Sequence, residues 1–138
     1  MSADSAWDVQ TGVFAGLTGN TALTNLLAAG AASVLDHVPA GTALPYVVIG
    51  ETSSRPMDSQ RVSGNDMTLT IHAYSRGSGM HQLKSIMSAV YAALHDVSFA
   101  GPNQILVLCQ CLETATLLEG DGMTRHGIQH FKIITEPA

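Results

Sequence analysis

Basic residues are scarce in this chain. Six Lys and Arg (Arg55, Arg61, Arg76, Lys84, Arg125 and Lys132) stand against eleven Asp and Glu in 138 residues, for a net charge of −5. They are scattered singly, which argues against a protein that grips nucleic acid by neutralising phosphates. A neutral or acidic wall is instead what a surface needs if DNA is to move past it without sticking. Cysteine is equally sparse. Cys109 and Cys111 form a C-x-C in an apolar run, where a strand would put both side chains on one face about 6.6 Å apart. That spacing suits neither a strain-free disulfide nor, with no second pair, a zinc site, so the expectation is two small buried thiols in a reduced compartment. The start MSADSAWDVQ has no basic stretch followed by an apolar core, and no window reaches the ~20 apolar residues of a membrane span. The expectation is a protein made in the cytoplasm, with no membrane partner.

What is present is apolar and small. Hydrophobic residues make up 46% of the chain and charged residues 12%, enough for the core of one domain, which at this size buries roughly 68% of its unfolded-chain surface. A charged surface this thin, filled out with Ala, Gly, Ser and Thr, fits a subunit that buries area against copies of itself.

The order of elements is mixed. Ser2 or Ser5 can cap a first helix ending near Leu17, with Trp7, Val13, Phe14 and Leu17 near helical spacing. Asn20 or Thr21 can cap a second, through Leu23, Leu26 and Leu27. A brief strand over 33–38 and an extended stretch marked by Pro39, Gly41 and Pro45 lead to a β-branched strand at 46–52. In 66–75, Met67, Leu69, Ile71 and Ala73 alternate with Thr68, Thr70, His72 and Tyr74, the period of a sheet with one buried face. The intervening loop, 55–65, is far longer than a tight hairpin needs. A helix follows with Met80, Leu83, Ile86, Met87, Val90, Tyr91 and Leu94 on one stripe. The strand 104–116 opens with ILVLC, apolar on both sides and so expected to be central. The turn at 119–122 joins it to a last strand over 124–135, and these arms, apolar at one end and polar at the other, imply tips that project beyond the core. The fold class expected is α+β: a single mixed, mainly antiparallel sheet flanked by helices, with one long strand-connecting loop.

Candidate chemistry fails on spacing. His126 and His130 are about 13 Å apart along a strand, too far to share one metal ion. Asp66 and His72 share a strand, but no serine or cysteine sits in a nucleophile elbow, so an enzyme assembled from Asp66, His72 and His126 is a poor fit. Gly77 and Gly79 lie where a phosphate-binding turn would occur, yet Gln82 occupies the third glycine position and no Gly-Lys-Ser/Thr follows; a plain turn with Ser78 as helix cap is expected. The acidic turn 119–122 lacks the alternating oxygen ligands of a calcium loop and is expected to be solvated. No cofactor, metal or catalytic residue is therefore assigned.

One resemblance covers residues 5 to 135. Pro45 followed by Tyr46, Val47 and Val48, then an open polar loop, an alternating strand ending in Tyr74-Ser75 and an amphipathic helix ending at Ala93-Leu94 resemble the tail-completion or tail-terminator proteins of long-tailed bacteriophages and gene transfer agents. The resemblance implies a single domain over 1–138 and a structural protein rather than an enzyme. It would sit in the virion at the head-tail interface as a homo-oligomeric ring, a hexamer, capping the tail tube. Its partners would be the tail tube protein and a head-completion or stopper protein, with DNA passing through without specific binding. On that reading the loop residues Arg55, Pro56, Met57, Asp58, Ser59, Gln60 and Arg61 are candidates for docking to the tube or a neighbouring ring. Glu51, Asp66, Glu113, Glu119 and Asp121 are candidates for an acidic lumen. The alternative from another class is a small α/β ligand-binding or regulatory domain.

Overall fold

The computed structural model describes residues 6–57, 64–100 and 104–137. Helix α1 (Ala6–Thr18) and the single turn α2 (Thr21–Thr24) lead through a 3-10 turn (Gly30–Ser33) to β1 (Val34–Leu35). Strands β2 (Tyr46–Pro56) and β3 (Asn65–Ser75) form one hairpin, α3 (His81–Leu94) crosses to β4 (Phe99–Ala100), and β5 (Gln104–Leu118) and β6 (Arg125–Pro137) form a second hairpin. The sheet order is β1-β2-β3-β6-β5-β4. Only β1 and β2 run parallel; the other pairs are antiparallel. The mixed, mainly antiparallel α+β sheet is thus as the residue pattern implies.

The helices cover one face of this sheet. Met67, Leu69, Ile71 and Ala73 of β3 are buried there, joined by Phe131 and Ile133 of β6 and by Leu106 and Cys109 of β5. Against them α3 packs Leu83, Ile86, Met87, Val90 and Leu94, and α1 packs Val9, Val13 and Leu17. Full burial of each such aliphatic or aromatic side chain stabilises the fold by about 1.5–3 kcal/mol. Asn65, Ser75, Thr135 and Gln129 are the polar side chains buried in this layer among the described residues, and Gln129, 1% exposed, donates from Nε2 to the Met87 carbonyl of α3 at 3.0 Å. Its hydrogen bond offsets the cost of burying the amide.

Several expectations shift. In α1 the buried residues are four apart, so Trp7 and Phe14, 70% and 45% exposed, lie off the core stripe. Asn20 caps α2 as expected, its Oδ1 accepting from the Leu23 N–H at 3.0 Å, but the helix stops at Thr24, before Leu26 and Leu27. The strand expected over 33–38 shrinks to Val34–Leu35. Met80, not Ser78, holds the N-cap position of α3 and gives it no side-chain cap. Tyr91 turns outward to stack on His95, ring centroids 4.5 Å apart.

The largest correction concerns the loop 55–65. The β2–β3 ladder runs on through Arg55↔Asp66 and Pro56↔Asn65, and the Met57 N–H donates to the Gly64 carbonyl at 2.8 Å. Thr52, Ser53 and Ser54 carry no apolar alternation because both sides of this arm are exposed, so pattern reading ends the strand too early. The β5 expectation holds only at its start: β4 flanks it at Phe99↔Leu106 and Ala100↔Ile105, after which β6 is its sole strand partner among the described residues. The tips do not project as expected: every side chain from residue 112 to 118 is exposed, but their β6 partners Gly127 and Gln129 are buried against α3, so this arm is an open edge of the sheet over the core.

Candidate functional site

The sheet face away from the helices carries most of the polar chemistry. Register places three rows across β2, β3, β6 and β5 on that side: Tyr46, Tyr74, His126 and Leu117; then Val48, His72, Ile128 and Ala115; then the β2 bulge, Thr70, His130 and Glu113. The β2 ladder slips between Ile49 and Thr52, so Gly50 and Glu51 together face one residue of β3. Such a bulge re-aims a side chain. Here it turns Glu51 onto His72.

The result is a hydrogen-bonded chain of four groups. Glu51 Oε1 lies 2.5 Å from His72 Nε2, His72 Nδ1 lies 2.7 Å from His126 Nε2, and His126 Nδ1 lies 2.8 Å from Glu119 Oε1. Tyr74 stacks on His126 at 4.4 Å between centroids, and Tyr46 leans on Tyr74 at 5.3 Å. Gly50 makes this possible, because a Cβ there would sit 2.6 Å from the His72 ring. Three contacts need three protons and two neutral imidazoles supply two, and burial of His126 opposes taking up the third. Burial, followed by the charge of His72, pushes the His126 pKa down against the pull of Glu119. The hydrogen bond from His72 holds the Glu51 carboxyl below its ordinary value. Every nitrogen of both rings faces another group of the chain. The four groups fasten three strands and a turn to one another rather than pointing at a shared vacant position.

Beyond the chain, Thr70 Oγ1 meets His130 Nδ1 at 2.9 Å, and Asp66 lies 3.7 Å from the Arg55 guanidinium and 4.0 Å from Lys132. Asp121 sits at the far turn. It accepts from the Met123 and Thr124 N–H groups, both at 2.8 Å, and from Thr124 Oγ1 at 2.7 Å, which lowers its pKa to about 2. Arg76 reaches the same turn, 3.5 Å from Asp121 and donating to Thr124 Oγ1 at 2.9 Å. The turn expected to be merely solvated is therefore tied to the end of β3.

The acidic residues singled out from the sequence thus divide. Glu51, Asp66 and Glu113 lie on the open face, Glu119 is bound into the histidine chain, and Asp121 is committed to its own turn. Of the docking candidates, Arg55 and Pro56 belong to β2 and Met57 closes the ladder, while Asp58, Ser59, Gln60 and Arg61 lie outside the described residues. The glycine turn is no phosphate cradle: the Gly77 N–H donates to Ser75 Oγ at 3.2 Å, and Ser75 Oγ in turn contacts Gln82. Cys109 is buried, its thiol pushed up to about 12, and Cys111 is half-buried. Among the described residues no three His, Cys, Asp or Glu side chains are grouped to hold a metal ion, and no helix is long and apolar enough to cross a membrane. Sequence reasoning missed the histidine chain, whose members are up to 75 positions apart in number yet meet through the β2–β3 hairpin and the long-range β3–β6 pairing. It also missed a 370 Å³ groove between α1 and the β1 edge, lined by Trp7, Phe14, Val34 and Ile49.

Residues 11–136 match the family model described as tail completion protein gp17. The chain belongs to the tail completion protein family. Its fold is a two-layer α+β arrangement, a mixed sheet with helices on one face. The tail completion protein gp17 of Bacillus phage SPP1 is 30% identical over 84 residues, which span 61% of this chain and 62% of the SPP1 protein. A chain from the virion of a native gene transfer agent particle shares the fold with a TM-score of 0.87 at 22% identity, over 98% of this chain and 99% of that one.

Proposed function

We propose that this tail completion protein forms a ring, a homohexamer, at the head-tail junction, where it caps the tail tube, ends its polymerisation and joins it to a head-completion or stopper protein. The observation that carries this reading is the family match, which runs from within α1 to the end of β6 and so takes in the whole sheet. The chemistry of the subunit agrees with a role in assembly: its histidines and carboxylates bind one another, and its exposed surface is made of sheet, arm and turn. Stopping a polymer requires presenting to the last ring a surface that imitates the next one, which strand and side-chain contacts do without any reaction. The tip between β2 and β3 is the docking element on this reading. Glu51, Asp66 and Glu113, on the open face, would line the lumen and let the genome slide.

Electron microscopy of particles assembled without this protein tests the proposal. Overlong or headless tails are expected, and tails of normal length joined to filled heads would overturn it. Mass photometry of the purified protein, alone and with tube protein, should find a species six times the chain mass. Scrambling residues 58–63 should reproduce the tail defect if the tip docks as proposed. The groove beside Trp7 and Phe14 is where the ligand-binding alternative would find room, and a thermal shift with a metabolite that is lost in Trp7→Ala would favour it.

A further inference from the structure

The two edges of the sheet are open at opposite ends. Strand β1 covers the outer side of β2 only at Val47 and Val48, so among the described residues 49–56 have a strand partner on one side alone. On the other edge, β4 covers β5 at Ile105 and Leu106. The end of α3 then takes over, with the Asp96 N–H donating to the Cys109 carbonyl at 2.7 Å and the Cys111 N–H to His95 Nδ1 at 3.2 Å. From residue 112 to 118 nothing among the described residues covers the outer side of β5. That stretch reads Leu-Glu-Thr-Ala-Thr-Leu-Leu, with one charge and neither Lys nor Pro, and Leu112, Leu117 and Leu118 are exposed. Edges are commonly blunted by charge, proline or a bulge; here the bulge falls at Leu112, at the start of the open stretch, and 113–118 run on in regular register with a single charge.

We infer that residues 112–118 of β5 in one copy add to residues 49–56 of β2 in the next, so that the sheets join edge to edge around the ring. This rests on the ring proposed above and names its interface. Direction is the first argument. Strands β2, β3, β6 and β5 alternate, each antiparallel to its neighbour, so a second copy turned about an axis running with the strands brings its β2 antiparallel to β5 and continues the alternation. A two-fold pairing of β5 with β5 would also be antiparallel, but would leave both β2 edges open.

Stagger is the second argument. Thr52 lies level with Cys111 through Leu69 and Phe131, whereas the open part of β5 centres on Ala115. Joining the open stretches therefore offsets neighbouring copies by three to four residues, about 12 Å along the strand. Spread over four strands at about 4.8 Å each, that offset tilts the strands about 30° from the ring axis, close to the tilt at which sheets close into barrels. An in-register join would need no tilt and would meet β1, β4 and the end of α3. Six copies so joined make a backbone ring about 40 Å across, wider than a DNA duplex, with the helices outside and the open face within.

Two chains test the pairing, both carrying Cys111→Ser and keeping only the fully buried Cys109 of the natural cysteines. One holds Ser54→Cys; the other holds Thr114→Cys or, to allow for register, Thr116→Cys. Mixed and oxidised, they should give a cross-linked dimer of the two different chains, with neither chain cross-linking to itself. A β5 chain that links only to itself would overturn the inference in favour of two-fold pairing. Rings seen by mass photometry without the mixed cross-link would overturn the edge pairing and leave the ring standing. The absence of both rings and cross-link would overturn both. In the unsubstituted protein, the amides of 49–55 and 112–118 that point away from β3 and β6 should exchange at least about tenfold more slowly in the ring than in the monomer, and equal rates would sink the inference without recourse to variants.

Discussion

The two faces of this sheet hold together by different physics. The helix-covered face is a layer mostly of Leu, Ile, Val, Met and Phe, entered near its centre by the amide of Gln129. The open face is a lattice of directional contacts, in which a carboxylate, two imidazoles and a second carboxylate run from β2 to the β5–β6 turn. Area removed from water decides the first, and geometry and proton count decide the second. A subunit of an assembly has use for both, since one face must fold the chain alone and the other must keep its shape while exposed.

The contrast is broken most severely by Phe131→Ala, which removes a fully buried ring from the helix side. It should cost about 3–5 kcal/mol, measured as a lower denaturant midpoint with an unchanged slope. On the open side the largest effect is expected from Gly50→Ala. Its Cβ would press on the His72 ring and come within 3.0 Å of the Thr70 carbonyl oxygen, so a loss of about 1–3 kcal/mol is expected, together with altered imidazole resonances of both His72 and His126.

His126→Phe sharpens the comparison, because it keeps a ring on Tyr74 and removes both nitrogens. A loss of about 1 kcal/mol is expected at pH 7, and the variant should also lose part of the pH dependence. The pKa values of His126 and Glu51 both lie below their unfolded values in the folded protein. The folded state thus binds fewer protons than the unfolded chain below about pH 6.5 for the histidine and below about pH 4.5 for the carboxylate. Stability is held above those values and falls as pH drops through the folded ones. Denaturant midpoints between pH 7.5 and 4 should therefore decline with acid in the natural chain, with the decline between pH 6.5 and 5 flattened in His126→Phe. A midpoint that rises over that interval would contradict the arrangement. The smallest effect belongs to Arg55→Ala. Arg55 is 84% exposed and its contact with Asp66 is loose at 3.7 Å, so the change should stay within about 0.5 kcal/mol.

How much could be read without coordinates follows the same division. The core face was legible because burial writes itself into period: the alternation through Met67, Leu69, Ile71 and Ala73 and the stripe through Leu83, Ile86, Val90 and Leu94 both hold. Trp7 and Phe14 misled because size is not burial, and the spacing of Val9, Val13 and Leu17 was the truer signal. The open face was nearly illegible. Whether Glu51 meets His72 depends on a bulge, and whether His72 meets His126 depends on two registers set by long-range pairing, neither of which leaves a local mark. The arm through Thr52, Ser53 and Ser54 was likewise hidden, since a strand exposed on both sides needs no alternation.

Gln129 has a further consequence. Its amide bonds the carbonyl of Met87, halfway along α3, from the middle of β6, and Ser75 of β3 contacts Gln82 in the first turn of the same helix. The two contacts therefore act as locating pins in a largely apolar seam. A force applied to one layer would then be carried to the other by a body that shifts as a whole.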